Sequence, residues 1–230
     1  KWGDIKSFAK HHTIQINDTH PTLIIPELMR IFMDQYHLGW DEAWDIVKQS
    51  VAYTNHTVRS EALEKWPQDL VQKLLPRQWE IMCEINRRWC DYLVANFGQD
   101  ERVGRNLIIR DGQVHMANMC LAACYKVNGV SGLHGDILKR DLFNDIYTLR
   151  PERFTHVTNG IDHRRWLSQI NPGLHELICE LLGGNEYMVE PERLEGLNAF
   201  ASDSEVRRRV NEIKYQNKLR FAQFAKRNDN

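Results

Sequence analysis

The side chains best suited to chemistry fall in two similar stretches, Ala52-Tyr53-Thr54-Asn55-His56-Thr57-Val58 and Phe154-Thr155-His156-Val157-Thr158-Asn159-Gly160. In both, residues that favour extended backbone lead to a Thr-Asn pair. Asn and His side chains each donate and accept hydrogen bonds. A short strand or loop presenting such groups between helices is how α/β folds display chemistry. Taken alone, the first stretch reads as a loop whose His56 bonds to backbone. A third candidate is Asn17-Asp18-Thr19-His20-Pro21, a turn-forming cluster after the alternating Ile14-Gln15-Ile16. Two readings of it stand side by side. Asp18 and His20 contact a ligand beyond a strand's carboxyl end, or they satisfy turn amides.

Other signals are weaker. Gly129, Gly132 and Gly135 are three glycines within seven residues, which suggests a close backbone approach. The pattern is neither a dinucleotide fingerprint nor a phosphate loop, and a helix-to-helix connection is its plainer reading. Arg164 and Arg165 precede Trp166 at a helix start, where they could bind an anion or simply face water. Nothing resembles an acid/base carboxylate pair. The five cysteines include no Cys-x-x-Cys and are odd in number, against a disulfide framework or a thiolate metal site. Buried, reduced thiols are expected instead, and the seven tryptophans are read as core or interface.

These residues need a scaffold, and 230 residues with 42% hydrophobic composition can supply one. A net charge of −1 and a pI near 6.9 give no basic field for nucleic acid or a membrane surface. No apolar run reaches membrane-spanning length. The periodicity predicts a strand at Ile14–Ile16 and helices led by Pro26 and by Asp41, the latter as cap. From Ser60 to Phe97 a helical pattern is cut at Pro67 and Pro76, with Trp79, Met82, Asn86, Trp89 and Leu93 on one stripe and Gly98 as its stop. Residues 99–112 read as polar and end in an Asp111-Gly112 turn. A short strand is expected near Val114 and a helix from Met119 to Val127. A short helix over Asp136–Asp141, a break at Asn171-Pro172-Gly173 and a last amphipathic run from Ser204 to about Lys226 complete the reading. A first residue that is Lys, and a tail at Arg227–Asn230 without a designed terminus, make a piece of a longer protein the expectation.

Taken in order, several segments together resemble one family. They are Gln15-Ile16-Asn17-Asp18-Thr19-His20-Pro21, Pro26-Glu27-Leu28-Met29-Arg30, Ala52 to Thr57, Glu61-Ala62-Leu63-Glu64-Lys65-Trp66, Leu74-Leu75-Pro76-Arg77, Val127-Asn128-Gly129-Val130, Thr158-Asn159-Gly160-Ile161, Arg164-Arg165-Trp166 and Asn171-Pro172-Gly173. In this order they are similar to the central part of the glycogen/starch/maltodextrin phosphorylase family. The resemblance implies a helix-rich α/β fold, a fragment of a two-domain glycosyltransferase whose Rossmann-like domains face a cleft. Residues 1–159 would end the N-terminal domain and residues 160–230 begin the C-terminal one. It implies transfer of a terminal α-1,4-linked glucose to inorganic phosphate, giving glucose 1-phosphate, with pyridoxal 5'-phosphate as cofactor.

By the same resemblance, His56 and Asn159 share the 6-hydroxyl of the bound glucose, and Val130 packs near the sugar. Asp18 stands at the pocket edge with His20 beside it, and Trp166 lies near the cofactor. A sugar hydroxyl both donates and accepts, so a neutral imidazole and an amide can hold it in one orientation. The sequence departs from the family at Asp162-His163, where Thr-Pro is usual. The family's cofactor lysine and phosphate-binding residues belong to segments beyond residue 230. This chain alone is therefore expected to carry no cofactor and no activity. A cytoplasmic, homodimeric parent with α-glucan and phosphate as partners is implied, and no metal. Two other classes remain: a nucleotide-sugar transferase of the same architecture, and a non-catalytic helical interaction module.

Overall fold

The computed structural model describes residues 4–228; Lys1 and Asp229-Asn230, read from the sequence as the ends of a piece, lie outside them, as does Trp2. The chain forms two compact units, residues 1–159 and residues 160–230.

The first unit is built on a four-stranded parallel sheet. After the short helix α1 (Phe8–His11) comes β1 (Ile14–Asn17), then α2 (Ile24–Arg30) and α3 (Trp40–Ser50), then β2 (Val51–Thr54). A smaller antiparallel sheet follows. Its first strand β3 (Lys65–Pro67) runs into α4 (Gln68–Leu74), α5 (Pro76–Phe97) and α6 (Glu101–Asn106), and the hairpin β4 (Ile109–Arg110) and β5 (Gln113–His115) completes it. Then α7 (Met116–Ala123) leads back to the main sheet at β6 (Val127–Gly129). Helices α8 (Gly132–Ile137) and α9 (Asn144–Leu149) connect to β7 (Phe154–His156). The main sheet has the order β1-β2-β6-β7. Strand β2 is central, and Val51, Ala52 and Tyr53 are all buried. A run that is apolar on both faces is what a parallel strand covered by helices requires.

Several sequence expectations are corrected here. Asp41 does not cap α3: Gly39 holds the N-cap position and Asp41 lies in the first turn. The helical pattern from Ser60 hides β3, a three-residue strand too short to show a period. The polar stretch after Gly98 contains α6, capped by the Asp100 side chain on the Arg102 amide. Val127 opens β6 instead of closing a helix, and the glycine-rich turn therefore joins a strand to a helix, not two helices. Asn86 is no simple core residue, because its Oδ1 accepts the backbone N–H of Ile108 and Ile109 at 2.9 and 3.0 Å. Other expectations hold. Pro76 starts α5 and Gly98 ends it with φ 73°. Asp111 and Gly112, with φ 51° and 71°, make the tight β4–β5 turn that needs two left-handed residues.

The second unit is helical, with α10 (Pro172–Leu182) and α11 (Ser204–Asn228) joined through a 3-10 stretch at Pro191–Phe200. Gly183 stops α10 with φ 77°. Ile213 packs on Gly173, and Arg209 makes a paired contact with Glu180 at 2.6 Å. The five cysteines are free, with Cys120 and Cys124 buried. Trp166 is 56% exposed, so the core half of the core-or-interface reading does not apply to it.

Two predictions follow from the packing. A Cβ at Gly129 would lie 2.8 Å from the Gly135 nitrogen, backbone that cannot swing away. Gly129→Ala should cost about 1–3 kcal/mol in urea unfolding. His115 is 8% exposed, and burial, reinforced by Arg110 and Lys65 and opposed by Asp111, lowers its pKa to about 4. Between pH 6.5 and 4 the unfolded chain takes up a proton that the folded imidazole refuses. Stability should fall as pH drops through that window, by up to roughly 3 kcal/mol. His115→Gln should flatten that slope, as measured by denaturation at stepped pH.

Candidate functional site

Parallel strands point the same way, so the loops after β1, β2, β6 and β7 all leave one edge of the main sheet. Loops at the carboxyl edge of such a sheet are where α/β folds bind ligands. The ladder runs one residue beyond each strand pair: Asp18 N–H donates to Thr54 O (2.9 Å), Asn55 N–H to Asn128 O (2.9 Å) and Val157 N–H to Gly129 O (3.0 Å). The first residue of each loop is thereby fixed by backbone alone. Asp18, His56, Val130 and Asn159 follow within three residues of these strand ends, and His20 within three of Asn17.

On the β1 side, Asp18 turns the chain with φ 62°, a left-handed conformation that Asp tolerates. Its Oδ1 accepts the Thr19 N–H at 2.7 Å, so the turn-amide reading of Asp18 holds for one oxygen. The other, Oδ2, lies 3.9 Å from the exposed His20 ring. Residue Glu64 organises this corner. Its Oε2 accepts the buried Thr19 hydroxyl at 2.9 Å and lies 3.4 Å from His20 Nδ1, while Oε1 accepts the Trp66 indole N–H at 2.9 Å.

On β2, Asn55 is fully buried and acts as a brace. Its amide donates to Tyr53 Oη at 2.9 Å and accepts the Thr57 N–H at 2.9 Å. That leaves His56 exposed, with Nε2 2.5 Å from Asn17 Oδ1. His56 therefore bonds to a side chain, not to backbone as the isolated stretch suggests. The Asn17 oxygen can only accept, so Nε2 carries the proton and Nδ1 keeps a free lone pair. A polar seam, Gln15 Nε2 to Thr54 Oγ1 (2.7 Å) and Thr54 Oγ1 to Asn128 Oδ1 (3.0 Å), crosses β1, β2 and β6 beside it.

On the β6 side, the half-buried Val130 donates its N–H to His134 Nδ1 at 3.1 Å, and His134 Nε2 donates to Thr57 O at 2.9 Å. His134 thus ties the β2 loop to the β6 loop. The glycine contacts here are internal: a Cβ at Gly129 or Gly135 would strike the protein's own backbone or His156. Asn159 is exposed in the loop after β7.

Trp166 belongs to the second unit, on a π-helix over Arg164–Gln169. With Ile170, Asn171, Asn217 and Arg220 it lines a shallow cleft. The two arginines before it face protein acceptors: Arg164 Nε donates to Met188 O at 2.5 Å, and Arg165 Nε is 3.6 Å from Asp162. Asp162, one of the two residues that depart from the family pattern, accepts the Arg165 N–H at 3.1 Å and so steadies the helix start.

Sequence reasoning missed Asn17, Glu64 and His134. All three lie within or beside the quoted motifs, but their partners are distant, 39, 45 and 77 residues away. Glu64→Leu tests the corner: with both carboxylate oxygens gone, the buried Thr19 hydroxyl and the Trp66 indole N–H lose this acceptor. The variant should be destabilised by about 1–2 kcal/mol in thermal or urea unfolding.

The whole chain, residues 1–230, matches the carbohydrate phosphorylase family. It is 46% identical over 225 residues to the liver form of glycogen phosphorylase from Bos taurus, covering 96% of this chain and 26% of that protein. The liver form from Homo sapiens is 47% identical over 222 residues, covering 95% and 26%. The muscle form from Oryctolagus cuniculus is 44% identical over 225 residues, covering 96% and 27%. The chain thus spans about a quarter of the length of the relatives it matches.

Proposed function

This chain belongs to the carbohydrate phosphorylase family, and we propose that it supplies the sugar-binding edge of an α-glucan phosphorylase. In that reading the parent transfers a terminal α-1,4-linked glucose to inorganic phosphate and releases glucose 1-phosphate. The observation that carries it is the convergence of the Asp18, His56, Val130 and Asn159 loops on one edge of the parallel sheet. Asn17 holds His56 Nε2, and Nδ1 remains to accept the proton of the glucose 6-hydroxyl. Asn159 offers its amide to the same hydroxyl. Val130 closes the apolar side, and Asp18 with His20 marks the pocket edge. Polar groups that would be left unpaired without their hydroxyl discriminate strongly against the wrong sugar.

The cofactor of this reading is pyridoxal 5'-phosphate, whose phosphate supplies the proton shuttle when bound. The cleft at Trp166 offers one aromatic face and one guanidinium, and its lining holds no lysine. These residues do not by themselves form a seat for the group. The chain alone should accordingly bind no pyridoxal phosphate and release no glucose 1-phosphate. A stoichiometric cofactor absorbance on the purified chain would overturn that expectation. A cytoplasmic, homodimeric parent completes the proposal. No helix among the described residues is long and apolar enough to cross a membrane.

The test is phosphate-dependent release of glucose 1-phosphate from maltooligosaccharide by the longer protein that contains this chain. His56→Ala should lower kcat/KM about 100-fold, because a buried sugar hydroxyl loses its acceptor. Asn17→Ala, which only frees the imidazole to turn, should cost about tenfold. A folded longer protein with no phosphorolysis, or a His56→Ala variant with unchanged kcat/KM, would sink the reading.

A further inference from the structure

The buried side chain of His134 joins two of the loops at the carboxyl edge, and its ring is spent entirely on backbone. Nδ1 accepts the Val130 N–H at 3.1 Å, and Nε2 lies 2.9 Å from the Thr57 carbonyl oxygen. A carbonyl only accepts, so Nε2 carries the proton and Nδ1 does not. One tautomer of the neutral ring meets both backbone groups. The ring also stands on a fixed base. The Ser131 hydroxyl accepts the His134 N–H at 3.1 Å, and the Gly135 N–H donates to Ser131 O at 2.8 Å. Gly135 in turn lies against Gly129 of β6 and His156 of β7.

What this base reaches is the main chain around His56. Before His56, the Asn55 N–H donates to Asn128 O of β6 at 2.9 Å. After it, Thr57 O accepts from His134. The other two bonds of Thr57, its N–H to Asn55 Oδ1 and its hydroxyl from the Arg59 N–H, lie within the same loop. The peptide that carries His56 is thus anchored to the sheet on one side and to α8 on the other. Asn17 then fixes the outer end of the imidazole through Nε2. A displacement of about 1 Å at a group that meets substrate can cost on the order of 100-fold in rate.

We infer that His134 is a positioning residue of the sugar site: it holds the Thr57 carbonyl, and through it sets where His56 meets the glucose 6-hydroxyl. The assignment rests on the phosphorylase reading above and adds to it a residue that does not itself bind the sugar. Both ring nitrogens of His134 are committed to backbone, so neither is left for a hydroxyl, and its effect passes through His56. Two substitutions separate its bonds. A Gln amide nitrogen reaches the place of Nε2 and can still donate to Thr57 O. An Asn oxygen takes the place of Nδ1 and keeps only the bond from Val130.

The experiment compares His134→Asn and His134→Gln in the longer protein that contains this chain. It measures glucan elongation from glucose 1-phosphate and from 6-deoxyglucose 1-phosphate, with rates taken per mole of folded protein. His134→Asn should lower kcat/KM about tenfold with glucose 1-phosphate. With the 6-deoxy donor, which presents no hydroxyl for His56 to meet, the loss should be no more than about twofold. His134→Gln should stay within about threefold of the unchanged protein with either donor. A loss in His134→Asn that is equal for the two donors would overturn the inference, because a merely structural role lowers both alike. A second measurement needs no activity. In the intact chain, the His56 imidazole resonances should shift in His134→Asn and return towards their original positions in His134→Gln. Resonances of His56 that are the same in all three proteins would also sink it. A longer protein that elongates from neither donor, or uses both equally well, refutes instead the role of His56 at the 6-hydroxyl, and the resonances then decide the place of His134 on their own.

Discussion

Close backbone contact between β6 and the first turn of α8 is the constraint on which the first unit depends. Gly129 and Gly135 meet at a separation that leaves no room for a Cβ, and Gly135 also lies against His156 of β7. The helix can therefore sit on the strand pair it connects. Dense contact of this kind tolerates little adjustment. It fixes where β7 lies beside β6, and hence where the loop carrying Asn159 begins. The same helix presents His134, which clamps the β2 loop through Thr57. One packing event thus sets three of the four loops at the carboxyl edge relative to one another.

The polar residues around that edge divide into those that brace and those that remain available. Asn55, Thr19 and His134 are buried and satisfied, each spending its hydrogen-bonding capacity on backbone or on a neighbouring side chain. His56 and Asn159 are exposed. Rigid support beneath exposed donors and acceptors is how a binding site avoids the entropy loss of ordering loops when a ligand arrives. Asn17 belongs to both groups, since it is exposed on β1 yet sets which nitrogen of His56 carries the proton.

The longer helices were legible because their physics is local. Pro76 and Gly98 bound α5, Gly183 ends α10, and the stripe of Val206, Val210 and Ile213 marks α11. Strands β1, β2 and β7 showed as short runs of residues with high β propensity. Strands β3 and β6 did not, because three residues carry no period and their pairing partners lie far along the chain. Helix α6 hid inside a polar stretch for a different reason: its six residues bring a single apolar side chain, Val103, to the core, and Asn106 is held by Asp145.

The sequence by itself determined the local elements and, through its resemblance to phosphorylases, which side chains to watch. It placed Asp18 in a turn-forming cluster and offered a close backbone approach as one reading of Gly129 to Gly135. Only the tertiary structure decided that this approach is to the protein's own backbone, and that Glu64, 45 residues from Thr19, organises the Asp18 corner. Only it gathered Lys65, Arg110 and His115 on one face of the smaller sheet. The reason is the same in each case. Propensity and capping act over a few residues, whereas strand register and side-chain partnership are set when distant segments pack, and no short window of sequence contains both partners.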